Sequence, residues 1–286
     1  MNTSEGTLTY VYAAAPLTEE LRDVSARLRG IYGSPVDFVT AASAPGADDA
    51  PAPLAFAVSH VPRNDFNENA LKNHFEDLEW LENVARAHHD VVQALSAHAT
   101  VLPLRMATVY QDDDRARRAL AEQQPVLAAR LARLTAHTEF GVKIYLAHAG
   151  APTDSGPAAE AGTDTPESPG KAYLRRRRAQ HNALEAMYGR AQEAAATIEA
   201  TASRYATQRV RHPAQSGALT GPAENVLNDA YLVPDEHAHL FRAAIEEVAG
   251  DFDGVRVEVT GPWAPYSFAM PAGEPQDAAP GEEHGP

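Results

Sequence analysis

Residues 65–110 read DFNENALKNHFEDLEWLENVARAHHDVVQALSAHATVLPLRMATVY, and the rest of the chain is organised around them. Asp65 and Glu68 have the spacing of a capping box, in which a carboxylate accepts from the N–H groups of a first helical turn. Apolar residues then recur at alternating steps of three and four, which predicts one helix of about seven turns with one side facing a core. That stripe contains Leu71, Phe75, Leu78, Leu81, Ala85, His88, Val92 and Leu95. The β-branched, apolar run at 101–110 predicts a strand, and Pro103 places it at an edge or a bulge.

Five blocks, in order along the chain, carry a resemblance to a known family. They are Trp80-Leu81-Glu82, Ala85–His88, Val101–Arg105, Gly141–Tyr145 and Gly261–Phe268. Together they are similar to the gas vesicle protein GvpF/GvpL family over residues 7 to 268, and the last block resembles that family's closing motif. One departure is Met106-Ala107, where the family pattern leads us to expect Phe-Gly. If that glycine takes a positive φ, Ala107 puts the tight backbone there in question.

The resemblance implies a function. It implies a noncatalytic accessory or minor structural protein of gas vesicle assembly, which binds the small hydrophobic shell protein and other gas vesicle accessory proteins. The place of action that it implies is the gas vesicle, in the cytoplasm. The alternative is a ligand-binding sensor or an enzyme on paired ferredoxin-like domains, a fold that hosts many functions. Stoichiometric metal or ligand in the purified protein would favour that alternative.

Composition and charge exclude several classes of protein. Hydrophobic residues make up 44% and charged residues 22% of the 286 residues, which are globular proportions. No apolar run approaches ~20 residues and the first residues are polar, so we expect no membrane span, no secretory signal and a cytoplasmic product. The net charge of −15 opposes binding to nucleic acid or to an anionic membrane, which leaves proteins as the expected partners. Without cysteine, only histidines and carboxylates remain as metal ligands.

The order of predicted elements indicates an α+β protein. Strands are predicted at 8–13, 36–40 and 54–61, and a helix at 17–29 follows the first of them. With the central helix and its strand, the order is β-α-β-β-α-β, which is that of a ferredoxin-like unit. A short helical connector at 112–135, interrupted by Pro125, comes next.

The second half of the chain reads as β-α-β-α-β and predicts a ferredoxin-like or modified ferredoxin-like domain. Its long helix, at 171–209, would be on the order of 50 to 60 Å long and would project beyond the domain. The other elements are strands at 141–147, 225–233 and 254–260 and a helix that begins at Pro234-Asp235. We expect three regions, which are an N-terminal α/β domain with the connector at 1–137, a C-terminal domain at 138–270, and a disordered acidic tail at 271–286. Mobile segments are expected at 41–53 and 148–170.

No pattern in the sequence indicates catalysis, a cofactor or a metal. His88 and His89 point about 100° apart on the predicted helix, and no second histidine lies four residues from either, so the spacing of a helical metal site is missing. We interpret His88 as a hydrogen-bonded core histidine. Glu76, Asp77 and Glu79 are interpreted as a solvated face of the helix and not as an acid–base pair.

Six residues are candidates for partner binding: Arg105, Arg175, Arg176, Tyr188, Trp263 and Tyr266. Arg105, on the predicted strand, forms either an internal salt bridge or a clamp on a partner's carboxylate. The run Arg175–Arg178 is either a solvated face or a contact for an acidic partner. Tyr188 belongs to the apolar stripe of the long helix, which a partner helix can pack against. Trp263 and Tyr266 either lock a domain edge or anchor a partner.

Overall fold

The computed structural model of the chain describes residues 6–41, 52–146, 169–214 and 224–269. Within these ranges the protein is a mixed α+β protein with two antiparallel sheets. The strands are β1 (Thr7–Pro16), β2 (Asp37–Thr40), β3 (Leu54–Pro62), β4 (Leu102–Pro103), β5 (Val109–Tyr110), β6 (His137–Leu146), β7 (Gln208–Arg211), β8 (Glu224–Pro234) and β9 (Val255–Trp263). The helices are α1 (Glu19–Ser25), α2 (Arg63–Phe66), α3 (Glu68–His74), α4 (Leu78–Ser96), α5 (Asp113–Leu134), α6 (Pro169–Ala202), α7 (Ala238–Ala249) and α8 (Tyr266–Ala269).

The described residues form two compact units. Unit 1 contains those up to Glu139 together with those from Trp263 onward, and unit 2 contains those from Phe140 to Pro262. The residues after Pro262 therefore group with the N-terminal unit, whereas the sequence suggested a C-terminal domain that runs to residue 270. The segments expected to be mobile at 41–53 and 148–170, and the tail at 271–286, lie almost wholly outside the described residues.

The sheet of unit 1 is built around β1. The strand order is β2-β3-β1-β4, and β5 also pairs with β1. β1 pairs antiparallel with β3 along its whole length, from Thr7 opposite Pro62 to Pro16 opposite Leu54. Its eight inner residues are all buried, because α4 and α5 both contact it. The predicted strands at 8–13, 36–40 and 54–61 are thus confirmed as β1, β2 and β3.

The prediction of one helix from Asp65 is wrong. The chain forms α2, α3 and α4 in succession, with N-caps at Asn67, which accepts from Ala70 N, and at Asp77, which accepts from Glu79 N and Trp80 N. Asn and Asp side chains compete for the backbone in this way and start new helices instead of continuing one. Of the predicted stripe, the part within α4 is buried at His88, Val92 and Leu95, together with Trp80, Val84 and Val91.

The predicted strand at 101–110 is also wrong in its middle. Only β4 and β5 are strands, and between them the backbone turns at Ala107, which has φ of 64°. Ala107 therefore adopts the left-handed conformation that the family's expected glycine would favour. Arg105 lies in this turn and not on a strand, and its carbonyl accepts from Thr108 N and Oγ1.

The sheet of unit 2 has the order β7-β8-β6-β9, and α6 and α7 supply core residues beside it. The long helix was predicted to run to Arg209, but α6 ends at Ala202 and the chain then forms β7, which pairs antiparallel with β8. The sequence reading missed β7. The connector α5 is one continuous helix with Pro125 inside it. The core cluster contains Phe140, Val142, Ile144, Ile198, Ala202, Leu227, Tyr231, Val233, Phe241 and Ile245.

We predict that two leucines of α4 differ sharply in their effect on stability. Leu95 is fully buried, so Leu95→Ala should lower the free energy of unfolding by about 2 to 5 kcal/mol through lost burial and a cavity. Leu78 is 81% exposed, so Leu78→Ala should change it by less than about 0.5 kcal/mol. Urea denaturation followed by circular dichroism measures both. Equal losses in the two variants would contradict the assignment of the buried side of α4.

Candidate functional site

The first part of α6 is not covered by the described residues of the unit to which the helix belongs. Residues 173–186 are all exposed, and the buried positions of α6 begin at Ala191. Tyr173 precedes Ala191 by about five turns, and Leu184 precedes the buried Ala202 by the same number, so each pair lies on the same side of the helix. The side of α6 that packs into the core of unit 2 therefore continues, uncovered, toward the N-terminus of the helix. We call residues 173–186 the uncovered half of α6.

This uncovered half is both apolar and basic. Tyr173 and Leu174 are each 62% exposed and Leu184 is 48% exposed. The same 14 residues contain four arginines, Arg175–Arg178, and one acidic residue, Glu185, in a chain whose net charge is −15. Exposed large apolar side chains beside a concentrated charge are typical of surfaces that bind another protein. The structure places the candidates Arg175 and Arg176 on this surface.

Tyr188 lies where the uncovered half of α6 ends and the packed half begins. Its hydroxyl donates to Glu224 Oε2 at the start of β8, with an oxygen–oxygen distance of 2.6 Å. This hydrogen bond, together with partial burial, raises the pKa of the Tyr188 hydroxyl. Tyr188 thus joins α6 to the sheet of unit 2. It is about 18 Å along the helix from Arg176, so the two candidates lie on the same helix but are too far apart to touch the same group of a partner.

The candidates Trp263 and Tyr266 lie together in unit 1, in the segment Trp263–Ala269, which begins at the last residue of β9. Both rings contact His89, with centroid distances of 5.2 Å for Trp263 and 6.1 Å for Tyr266. Ala264 N donates to Gln93 Oε1 of α4, and Ala264, Phe268 and Ala269 are buried. This segment, which we call the closing segment, therefore completes unit 1. Trp263 is exposed, at 38%, and Tyr266 is half-buried.

A buried carboxylate holds the closing segment. Glu139 accepts from Ser267 N at 2.8 Å and from Ser267 Oγ at 2.6 Å. Burial raises the pKa of the Glu139 carboxyl to about 7, although the two bonds from Ser267 oppose the shift. Burial and the nearby Glu139 also raise the pKa of Tyr266, whose buried hydroxyl has no hydrogen-bond partner among the described residues.

A second buried ionisable group, His88, lies beside the closing segment. Its Nδ1 is 2.9 Å from Tyr10 Oη, and its ring is 6.2 Å from that of Tyr266. Burial lowers the pKa of His88 to about 4, and the backbone of Leu104 opposes that shift. His88 is therefore neutral near pH 7 and serves as a hydrogen-bonded core residue, as its place in the stripe predicted.

An ion-pair network in unit 2 escaped the sequence reading. Glu199 of α6 pairs with Arg209 and Arg211 of β7, and Arg211 Nε donates to Asp229 Oδ1 of β8 at 3.1 Å. The side chain of Asp229 is fully buried, so it requires this basic partner. The alternation Gln208-Arg209-Val210-Arg211 was the available signal, since period two is that of a strand.

Two residues of the network, Glu199 and Arg211, also line a groove of about 650 Å³ along α6, β7 and β8. Glu199 and Arg211 pair with each other and have opposite charges, so the described lining of the groove offers no surplus charge to a charged ligand. Within residues 6–41, 52–146, 169–214 and 224–269, no three His, Asp or Glu side chains are arranged to hold a metal ion. None of the helices in these ranges is both long and apolar enough to cross a bilayer.

Comparison with known proteins identifies the family of this chain. The profile of the family described as "Gas vesicle synthesis protein GvpL/GvpF" matches residues 8–270. The chain belongs to the GvpL/GvpF family. Gas vesicle protein L of Streptomyces sp. (strain CB03234) is 41% identical over 219 residues, which are 76% of this chain and 80% of that protein. Gas vesicle protein L2 of Halobacterium salinarum is 28% identical over 68% of this chain and 73% of its own length.

Solved structures of GvpF proteins have the same fold as this GvpL/GvpF chain. The crystal structure of GvpF from Anabaena sp. PCC7120 matches 93% of this chain and 97% of its own, with a TM-score of 0.61 and 18% identity. The crystal structure of GvpF from Microcystis aeruginosa matches 92% and 99%, with a TM-score of 0.57 and 18% identity. Membership of the family implies a role in gas vesicle assembly.

We predict that Glu139→Gln exposes a pH dependence of stability that is balanced in the wild type. A carboxyl with a raised pKa stabilises the fold at low pH, and that stability is lost as the pH rises from about 4.5 to about 7. A histidine with a lowered pKa does the opposite between about 4 and 6.5, so in the wild type the two slopes offset each other. With glutamine at 139, stability should rise with pH across this interval because the contribution of His88 is no longer offset.

At pH 8 the same variant should be more stable than the wild type by up to about 3 kcal/mol, since no buried charge remains. Urea midpoints at pH 5 and pH 8 measure the effect. Ser267→Ala is the matched control, because it removes one of the donors and keeps the carboxyl. A Glu139→Gln protein that is less stable than the wild type at pH 8 would show that Glu139 is held as a stabilising carboxylate.

Proposed function

We propose that this chain is a noncatalytic accessory or minor structural protein of gas vesicle assembly that binds the gas vesicle shell protein and companion accessory proteins. The observation that carries the proposal is the uncovered half of α6, in a chain of the GvpL/GvpF family. Membership of the family indicates the gas vesicle, in the cytoplasm, as the place where the protein acts. The helix provides a surface suited to a protein partner.

The proposed task follows from the chemistry of a shell built around gas. Such a shell requires a small and very apolar subunit, which must be delivered before it aggregates. Tyr173, Leu174 and Leu184 offer an apolar stripe about 16 Å long against which an apolar partner helix can pack. The net charge of −15 keeps the resulting pair dispersed.

The six candidate residues divide into contact residues and positioning residues in this proposal. Arg176 flanks the stripe and binds acidic or carbonyl groups of the partner, and Arg175, on the opposite side of the helix from Leu184, offers a second contact of the same kind there. The exposed part of Trp263 is a second contact, on unit 1. Tyr188 positions α6 through Glu224, Tyr266 fixes the closing segment, and Arg105 stabilises the turn between β4 and β5.

We also infer that both units are ferredoxin-like. Each has the chain order β-α-β-β-α-β, counting α2–α4 as one helical layer in unit 1 and β6–β9 as the strands of unit 2. The strand orders, β2-β3-β1-β4 and β7-β8-β6-β9, repeat the same pattern of second, third, first and fourth strand. This arrangement makes the uncovered half of α6 an addition to an ordinary domain.

Binding through α6 predicts a specific loss in a pull-down. Tagged chain co-expressed with the gas vesicle shell and accessory proteins should retain at least one of them. Leu174→Asp combined with Leu184→Asp should lower that retention by roughly tenfold or more, because charges would be buried against an apolar partner. Leu240→Asp, at an exposed leucine of α7 in the same unit, is the matched control and should retain the partner.

Deletion of the gene, scored for vesicles, tests the function as distinct from the surface. We expect the deletion strain to lose its vesicles. The wild-type gene should restore them, and the double α6 variant should not. Normal vesicles in the deletion strain and no vesicle protein in the pull-down would together overturn the proposal.

A further inference from the structure

A second uncovered apolar surface lies on unit 1, where α3 meets α4. Phe75 is 50% exposed, Leu78 is 81% exposed, and Tyr32, which contacts this region through Trp80, is 53% exposed. We call these three residues the corner patch. Phe75 and Leu78 belong to the stripe that was predicted to face the core. Because both are exposed, the described residues of unit 1 do not bury them.

The corner patch is firmly built. Trp80 Nε1 donates to Tyr32 Oη at 2.7 Å, and the ring of His74 stacks on Trp80 at 4.4 Å. Asp77 caps α4 between the two exposed residues Phe75 and Leu78. Tyr32 has φ of 54°, a left-handed conformation that costs a non-glycine residue about 1 to 2 kcal/mol. The surrounding contacts hold the tyrosine in this position despite that cost.

The charge around the corner patch is negative. Glu76, Asp77 and Glu79 are exposed and alternate with the apolar residues of the patch. The nearest lysine and arginine on the same helices are already paired, Lys72 with Glu68 and Arg86 with Glu82. The patch therefore combines apolar side chains with a surplus of acidic groups.

The uncovered half of α6 has the opposite charge and the same apolar character, with four arginines beside Tyr173, Leu174 and Leu184. One chain thus carries two surfaces that are complementary to each other. We propose that the protein self-associates head to tail, with the uncovered half of α6 of one copy bound to the corner patch of a second copy. Arg176 and Arg177, which lie nearest to Tyr173 and Leu184 around the helix, then face Glu76 and Glu79 of the neighbouring copy, and the leucines pack on Phe75 and Leu78.

Such a contact is heterologous, because each copy uses a different surface toward each of its two neighbours. Heterologous contacts extend into rings or open chains instead of stopping at a dimer. The contact also covers the exposed leucines of α6 until another partner displaces the neighbouring copy. This self-association is a property of the purified chain alone, so it stands or falls independently of binding to the shell protein.

The first measurement is the mass of the purified full-length chain by sedimentation velocity over a range of concentrations. The mass should increase with concentration and should fall toward that of one copy in high salt, which screens the charges. A monomer at every concentration would overturn the proposal.

Charge reversal then assigns the surfaces. Arg176→Glu with Arg177→Glu makes both surfaces acidic, and Glu76→Arg with Glu79→Arg makes both basic, so each variant alone should associate at least roughly tenfold more weakly. All four positions are exposed, and circular dichroism checks that both variants fold. An equal mixture of the two variants should recover association, because the acidic α6 of one fits the basic patch of the other. Association that persists in each variant, or no recovery in the mixture, would overturn the assignment.

Discussion

Unit 1 depends on the two hydrogen-bond contacts of the Tyr10 hydroxyl. The hydroxyl lies 2.9 Å from His88 Nδ1 of α4 and accepts from Ala107 N at 3.0 Å, so one atom joins β1, the helix and the turn that follows it. Tyr10 is fully buried, and a buried hydroxyl without partners would cost about 1 to 3 kcal/mol. The need to pair it explains why Ala107 tolerates a left-handed backbone and why position 88 carries a polar residue within an apolar stripe. Arg105 lies in a turn for the same reason.

The closing segment adds a second polar requirement to the same core. Glu139 and His88 are both buried, yet one is an acid whose pKa is raised and the other a base whose pKa is lowered. Both groups therefore prefer the neutral state in the folded protein, and the charges that they would carry in water are absent around pH 6. The acid loses its stabilising contribution as the pH rises from about 4.5 to about 7, and the base loses its contribution as the pH falls from about 6.5 to about 4. The two changes offset each other, so their summed contribution to the stability of unit 1 varies little between about pH 4.5 and pH 6.5.

Periodicity predicted most elements of this fold, because β1, β3, β6 and β8 are buried enough for the hydrophobic pattern to survive in the sequence. It failed where a local hydrogen bond decided the backbone. Asn67 and Asp77 divide the central helix, and the pairing of Tyr10 with Ala107 breaks the strand after it. The place of Trp263 and Tyr266 in unit 1 follows from contacts with residues more than 120 positions away, such as Ser267 with Glu139, which no local pattern encodes. The site candidates on α6 could be predicted from the sequence, because an amphipathic stripe longer than a domain leaves a recognisable hydrophobic pattern.

The charges beside the apolar residues explain how the chain can keep two exposed apolar surfaces, the uncovered half of α6 and the corner patch. A stripe of apolar residues on a surface that the fold leaves open promotes aggregation unless something covers it. In this chain the stripe of α6 is interleaved with arginines, while Phe75 and Leu78 are interleaved with acidic residues, although a random distribution would mix both signs on each. Segregated charge disfavours contact between two α6 helices or two corner patches and favours contact of one kind with the other. The charges therefore limit which partner an exposed apolar residue can meet, and this selection is what allows an assembly protein to keep such residues uncovered.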